Sequence, residues 1–266
     1  MAFTSYSLLT MKKKVRIIAR LDVKAPHVVK GVHMEGLKKL GSPNEFAKHY
    51  YENGIDEILY IDIVASLYNR NSLLEIIAET TKNIFIPITV GGGIRSVEDA
   101  KQLLRAGADK IAVNSAVIKN PQLITALAEA FGAQCIVVSI HAKRVLPDYW
   151  EAYYDCGREH SGISVVEWAQ QVEYYGAGEI LLSSIDQDGT QAGCDCSLVK
   201  SVTSRVSIPV IAGSGIGCVE HAVDVAQHGL PDAIAIGSAL HFKKFSIPEV
   251  RRKLQSAGIN SRNVFC

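Results

Sequence analysis

The chain has 266 residues, 48% hydrophobic and 21% charged, with 21 Gly and 8 Pro, a composition ordinary for a globular protein. A formal net charge of +1 gives no electrostatic reason for nucleic acid or an anionic membrane as partner. No apolar run approaches the roughly 20 residues that span a bilayer, and the cationic run 12–14 follows the weakly apolar start instead of preceding it, the wrong order for a secretory signal. A cytoplasmic protein is expected. Met11 is a candidate natural start with 1–10 an added extension; by domain, 1–14 is read as an N-terminal extension, 15–258 as the folded domain and 259–266 as a tail.

In chain order, short β-branched runs alternate with amphipathic stretches. The strand candidates are 15–23, 57–63, 86–90, 110–114, 134–141, 179–185, 208–212 and 232–236. Most are near-continuous apolar runs, as strands covered on both faces should be. The first ends in Leu21-Asp22-Val23 and leads into Val28-Val29-Lys30-Gly31. Ser42-Pro43-Asn44-Glu45 predicts a capped helix start with a capping-box Glu, and Asn120-Pro121 and Ser96 with Asp99 predict two more. The fifth strand ends in Ile140-His141, and 144–162, rich in aromatic and turn residues, predicts a hairpin over the mouth. Cys194 and Cys196 form an isolated C-x-C with no His at zinc spacing, so a loop is expected there and no metal. The six cysteines show no disulfide framework spacing, as in a protein with reduced thiols.

Eight β/α units without a linker predict one closed (β/α)8 TIM barrel. A doubly wound open sheet is the alternative, but no G-x-G-x-x-G opens the first helix. An internal repeat adds that the barrel is two similar halves. Ile86-Pro87 through Gly91-Gly92-Gly93-Ile94 recurs 122 residues later as Ile208-Pro209 through Gly213-Ser214-Gly215-Ile216. Glu57-Ile58-Leu59 recurs as Glu179-Ile180-Leu181, and Asn114-Ser115-Ala116 answers to Gly237-Ser238-Ala239.

Each half thus ends one strand in a Gly-rich turn and the next in a small polar turn. Glycines let backbone N–H groups approach an anion, so two phosphate cradles are expected on the catalytic face. They are Gly92, Gly93, Asn114 and Ser115 on one side, and Gly213, Ser214, Gly215, Gly237 and Ser238 on the other. The plain alternative is that these glycines only make tight turns. Asp22 and His141, related by the repeat, are the candidate acid–base pair. Asp188 and Gly189 after the sixth strand are candidates for holding substrate, Lys30 suits an anionic ligand, and His33 is placed to reach it. At the opposite ends of the strands Arg16, Glu57, Lys110 and Glu179 are expected to form a charge-balanced ring.

The stretches 15–24, 28–31, 90–96 and 186–190 together resemble the cyclase subunit of imidazole glycerol phosphate synthase, with strand-by-strand spacing kept from about Val15 past Phe242. The resemblance implies a half-duplicated barrel with no cofactor, which takes ammonia from a glutaminase subunit docked at the barrel bottom. Ammonia and a bis-phosphorylated ribulosyl aminoimidazole carboxamide nucleotide then react at the mouth. Under it the ring Arg16, Glu57, Lys110 and Glu179 matches the ammonia gate, and Asp109 and Gln134 match positions near the glutaminase contact. Three departures stand out. His141 replaces the second of two family aspartates, Arg20 replaces a small residue, and His33-Met34 replaces Asn-Phe. They favour a divergent paralogue that conducts ammonia to a third protein, a sugar amidotransferase of surface polysaccharide synthesis. A histidine-biosynthesis cyclase using Asp22 and His141 is the alternative; the sister isomerase barrel fits less well.

Overall fold

The protein is described from a computed structural model covering residues 14–65 and 73–263. Most of the extension and part of the tail expected from sequence lie outside the described residues. The first half runs β1 (Arg16–Lys24), β2 (His27–Val32), β3 (Glu35–Gly41), α1 (Pro43–Glu52), β4 (Glu57–Asp62) and α2 (Leu74–Thr80). It continues with β5 (Ile88–Gly91), α3 (Val97–Arg105), β6 (Lys110–Val113), α4 (Ser115–Lys119) and α5 (Gln122–Phe131). The second half opens with β7 (Ile136–Leu146), β8 (Tyr149–Tyr154), β9 (Glu159–Ser164), α6 (Val165–Tyr174), β10 (Glu179–Ser184) and α7 (Cys196–Thr203). It ends with β11 (Val210–Gly213), α8 (Val219–Asp224), β12 (Ala233–Ile236), α9 (Ser238–His241) and α10 (Ile247–Ser256). Element for element, the second half repeats the order of the first.

The barrel strands are β1, β4, β5, β6, β7, β10, β11 and β12, all parallel, and the ring closes where β12 pairs with β1. Successive side chains on a strand alternate in direction. On β1, Ile17, Ala19, Leu21 and Val23 pack under the helices, while Ile18 joins Leu59, Val137, Leu181 and Ile211 in a separate cluster filling the lumen. Arg16, Arg20 and Asp22 share the inward parity of Ile18, and that parity delivers charge to both ends of the barrel.

The helix starts differ from expectation at two places. Ser42 makes no side-chain cap bond to α1, where Pro43 sits in the first turn. Asn120 does not cap α5; Pro121 takes the cap position without a side-chain bond. Proline fixes the backbone there and does much of what a cap would do. Ser96 caps α3 as expected, accepting from Asp99 N at 3.1 Å, and an unforeseen capping box joins Ser246 and Glu249 on α10.

Candidate functional site

Both halves extend their first barrel strand into an antiparallel hairpin over the carboxyl end of the barrel. β2 and β3 continue from β1, and β8 and β9 continue from β7. The first hairpin is pinned by His33, whose N donates to Asp188 O at 2.8 Å and whose Nδ1 donates to Ile185 O at 3.1 Å. That ring is therefore committed to backbone. The second is pinned by Asp155, whose N donates to Ser115 Oγ at 3.0 Å.

Between the hairpins opens a cavity of about 730 Å3 lined by Asp22, Lys30, Gly92, Gly93, Asn114, Ser115, His141 and Asp188, among others. A second cavity, about 20 Å3, is lined by Gly189, Ser214, Gly215, Gly237 and Ser238, with Arg20, Lys30 and Asp188 between the two. Gly213 lines neither. It lies under Arg20, where an added Cβ would come within 3.1 Å of Ser183 Oγ and 3.8 Å of Arg20 Nη1.

Four buried charges occupy the middle of the mouth. Arg20 Nε donates to Asp22 Oδ1 at 2.8 Å, and Lys30 Nζ donates to Asp22 Oδ2 at 2.7 Å and to Asp188 at 3.1 and 3.2 Å. Arg20 Nη1 reaches Ser183 Oγ on β10 at 2.9 Å, passing β12 and β11 along the inner wall. Two cations and two anions balance, as burial of charge requires. Burial by itself would raise the Asp22 carboxyl, but Arg20 and Lys30 hold it far below the usual carboxylate range. Burial, with Arg20 adding to it, pushes His141 down to about 4, so its imidazole is neutral near pH 7.

The acid–base pair expected from sequence thus lines one cavity as a doubly ion-paired carboxylate and a neutral imidazole. Asp22 has no proton to give, and an imidazole whose conjugate acid titrates near 4 is a weak base at neutral pH. His141 Nδ1 and Asn114 Oδ1 are buried without a hydrogen-bond partner. Asn114 Nδ2, by contrast, donates to Ser139 O at 2.9 Å and Tyr153 O at 3.4 Å.

At the other end of the barrel the ring is complete. Arg16 Nη1 donates to Glu57 at 2.8 Å and Arg16 Nη2 to Glu179; Lys110 Nζ donates to Glu57 at 3.2 Å and Glu179 at 2.9 Å. Thr89 Oγ1, which sequence reasoning missed, donates to Glu57 at 2.6 Å. Both glutamates are almost wholly covered. Asp109 and Gln134 are exposed on this face; Asp109 Oδ2 accepts from Ile88 N at 2.8 Å. Cys194 donates to Ser214 O, while Asp195 caps α7, consistent with a turn. Among the described residues no helix is long and apolar enough to cross a membrane.

A closed (β/α)8 barrel with a hairpin-rimmed cavity at the carboxyl ends of its strands defines the class. The sequence pattern of the histidine biosynthesis protein family matches residues 16–246, and the chain belongs to that family as a HisF-like, cyclase-type subunit. The imidazole glycerol phosphate synthase subunit HisF of Legionella pneumophila is 61% identical over 206 residues, 77% of this chain and 97% of that protein. The subunit of the same name from Bacillus cereus strain G9842 is 46% identical over 247 residues, 93% of this chain and 98% of that one.

Proposed function

We propose that the chain receives ammonia from a glutaminase subunit docked at the ring end of the barrel and releases it at the mouth, without performing the family's cyclisation. The state of Asp22 carries this reading. It is doubly ion-paired, and its partner across the mouth is a neutral imidazole where the family's second aspartate would stand. A lost general acid–base group typically removes about 10²–10⁴-fold in rate. The ring, by contrast, keeps four residues in mutual ion pairs. Helix ends and the loops that lead from helices into strands lie on that face; Phe85 and Leu230 in the loops and Tyr174 at the end of α6 are exposed there, a surface suited to a protein partner.

The acceptor side carries its own apolar rim. Val32 and Leu37 on the first hairpin, and Val145, Leu146 and Tyr149 on the second, stand exposed, and Leu37 also lines the cavity. That rim suits docking of an acceptor enzyme, which in this reading is a sugar amidotransferase. The names of the relatives favour the second reading, a working cyclase using Asp22 and His141.

The two readings separate in one assay. The purified chain, ammonium and the bis-phosphorylated nucleotide should yield no imidazole glycerol phosphate, and Arg20→Ala with His141→Asp should gain the reaction. Wild-type turnover comparable to that of the Bacillus cereus relative would overturn the proposal.

A further inference from the structure

We infer that Arg251, on the last helix, is a positioning residue for the ring: its guanidinium holds the two segments that grip β1 on either side of Arg16, and one of those segments leads directly into Glu57. What the ring then does for ammonia rests on the reading proposed above.

Arg251 is buried in α10, whereas its neighbours Arg252 and Lys253 are exposed. A guanidinium taken out of water has to be paired and hydrogen-bonded. Nη2 donates to Asp56 Oδ1 at 2.6 Å and to Gly54 O at 2.6 Å, and Nη1 donates to Arg262 O at 3.2 Å. The Asp56 carboxylate is itself nearly covered. One side chain thus ties the loop before β4 to the segment that follows α10. Attachment of the helix does not call for such a buried charge, since Ile247, Val250 and Leu254 already bury its apolar stripe.

Both tied segments reach the start of β1. Ile17 N donates to Asp56 Oδ2 at 2.8 Å, and Asp56 N returns a bond to Ile17 O at 3.1 Å. On the other side, Val15 N donates to Asn260 O at 2.8 Å. Arg16 stands between these two anchored neighbours. The residue after Asp56 is Glu57, which Arg16 Nη1 meets at 2.8 Å. A strand side chain is aimed by its backbone. The Arg251 clamp therefore sets the aim of both members of the Arg16–Glu57 pair.

The other strand starts show that this clamp is particular to one side of the ring. Asp109, just before Lys110, accepts from Ile88 N at 2.8 Å in the same way, but it is exposed. Asp232 accepts from Val210 N at 2.8 Å, yet Ala233 follows it, so that tie leads into no ring residue. The repeat puts Gly178 where Asp56 stands in the first half. An added Cβ there would lie 2.2 Å from Ala133 O, so no carboxylate fits in front of Glu179. Arg251 accordingly serves Arg16 and Glu57, and nothing of its kind serves Glu179.

Nitrogen-15 NMR on the purified full chain tests this through the Arg16 Nε–H signal, assigned by its loss in Arg16→Lys. Glu57→Gln, which alters the ring itself, sets the scale of the shift. Arg251→Gln should move the Arg16 signal by a comparable amount, and so should Asp56→Asn. The two substitutions together should move it no further than Asp56→Asn alone, because Arg251 acts through that carboxylate. Leu254→Ala, which loosens the same helix from its apolar side, should leave the signal in place. If Arg251→Gln does not fold, Arg251→Lys takes its place with the same expectation, since it keeps the charge and loses the guanidinium fork. An Arg16 signal that stays put when Arg251 is replaced, that moves as far in Leu254→Ala, or that moves further in the double variant overturns the inference and leaves Arg251 as a fastening of α10. The signal reports the ring whether or not ammonia crosses it. Equal yields from glutamine and ammonium nitrogen would sink the conduit reading and leave the Arg251 result standing, so the two fail separately.

Discussion

Burial holds the imidazoles of His141 and His241 at about 4, against 6.5 for a free side chain. In the unfolded chain both take up a proton as pH falls through about 6.5; in the folded chain neither does until about pH 4. The unfolded state binds more protons across that window, so stability rises with pH there and is lost on acidification. The melting temperature followed by circular dichroism should fall steadily from pH 7 to pH 4.5, and His141→Asn should flatten part of the slope. An unchanged slope would mean the imidazole is not buried in its neutral form. At this scale the sequence pointed to Asp22 and His141 for the mouth, because the barrel strands carry their side chains into it there, and both line the one cavity. It did not say what Arg20 does. That depends on Ser183, 163 residues away, and on a gap at Gly213 that composition reads as a turn glycine.

The hairpin of β2 and β3 is the element whose position matters most to the mouth, since it carries Lys30 into the charge cluster. Gly189 sets that position. Its φ is +72°, and an added Cβ would stand 2.1 Å from Gly31 O. Gly189→Ala should lift the hairpin from its seat, combining a backbone clash with about 1–3 kcal/mol of left-handed strain. Limited proteolysis should then cut within 27–41 many times faster while hydrogen exchange in the barrel strands stays protected. Cleavage elsewhere, or none, would show that the hairpin is held by other contacts. The eight barrel strands were readable because burial on both faces writes them as unbroken apolar runs. The first hairpin was not, since β3 is Glu-Gly-Leu-Lys-Lys-Leu-Gly with no buried residue and so no alternation to detect. The helix starts at Ser42 and Asn120 were located correctly, but the side-chain caps expected there are absent, as proline had already fixed the backbone.

Across the whole molecule, a layer of buried apolar side chains lies between the two ends of the barrel. Ile18, Leu59, Val137, Leu181 and Ile211 separate the ring from the mouth, so any molecule passing between them must be small and uncharged. Neutral ammonia meets that requirement and ammonium does not. The ring would then act at the entrance, with its cations and anions bound to one another so that no free charge lines the way in. Lys110 tests this, because Lys110→Ala leaves Glu57 and Glu179 sharing Arg16 alone. Loss of charged hydrogen bonds should cost about 1–3 kcal/mol, which the fold tolerates. In the proposed complex of the variant with a glutaminase and an acceptor enzyme, 15N product made from amide-labelled glutamine should fall severalfold relative to product made from 15N ammonium. Equal yields from the two nitrogen sources, with the stability loss present, would make the ring a strut of the barrel bottom and nothing more.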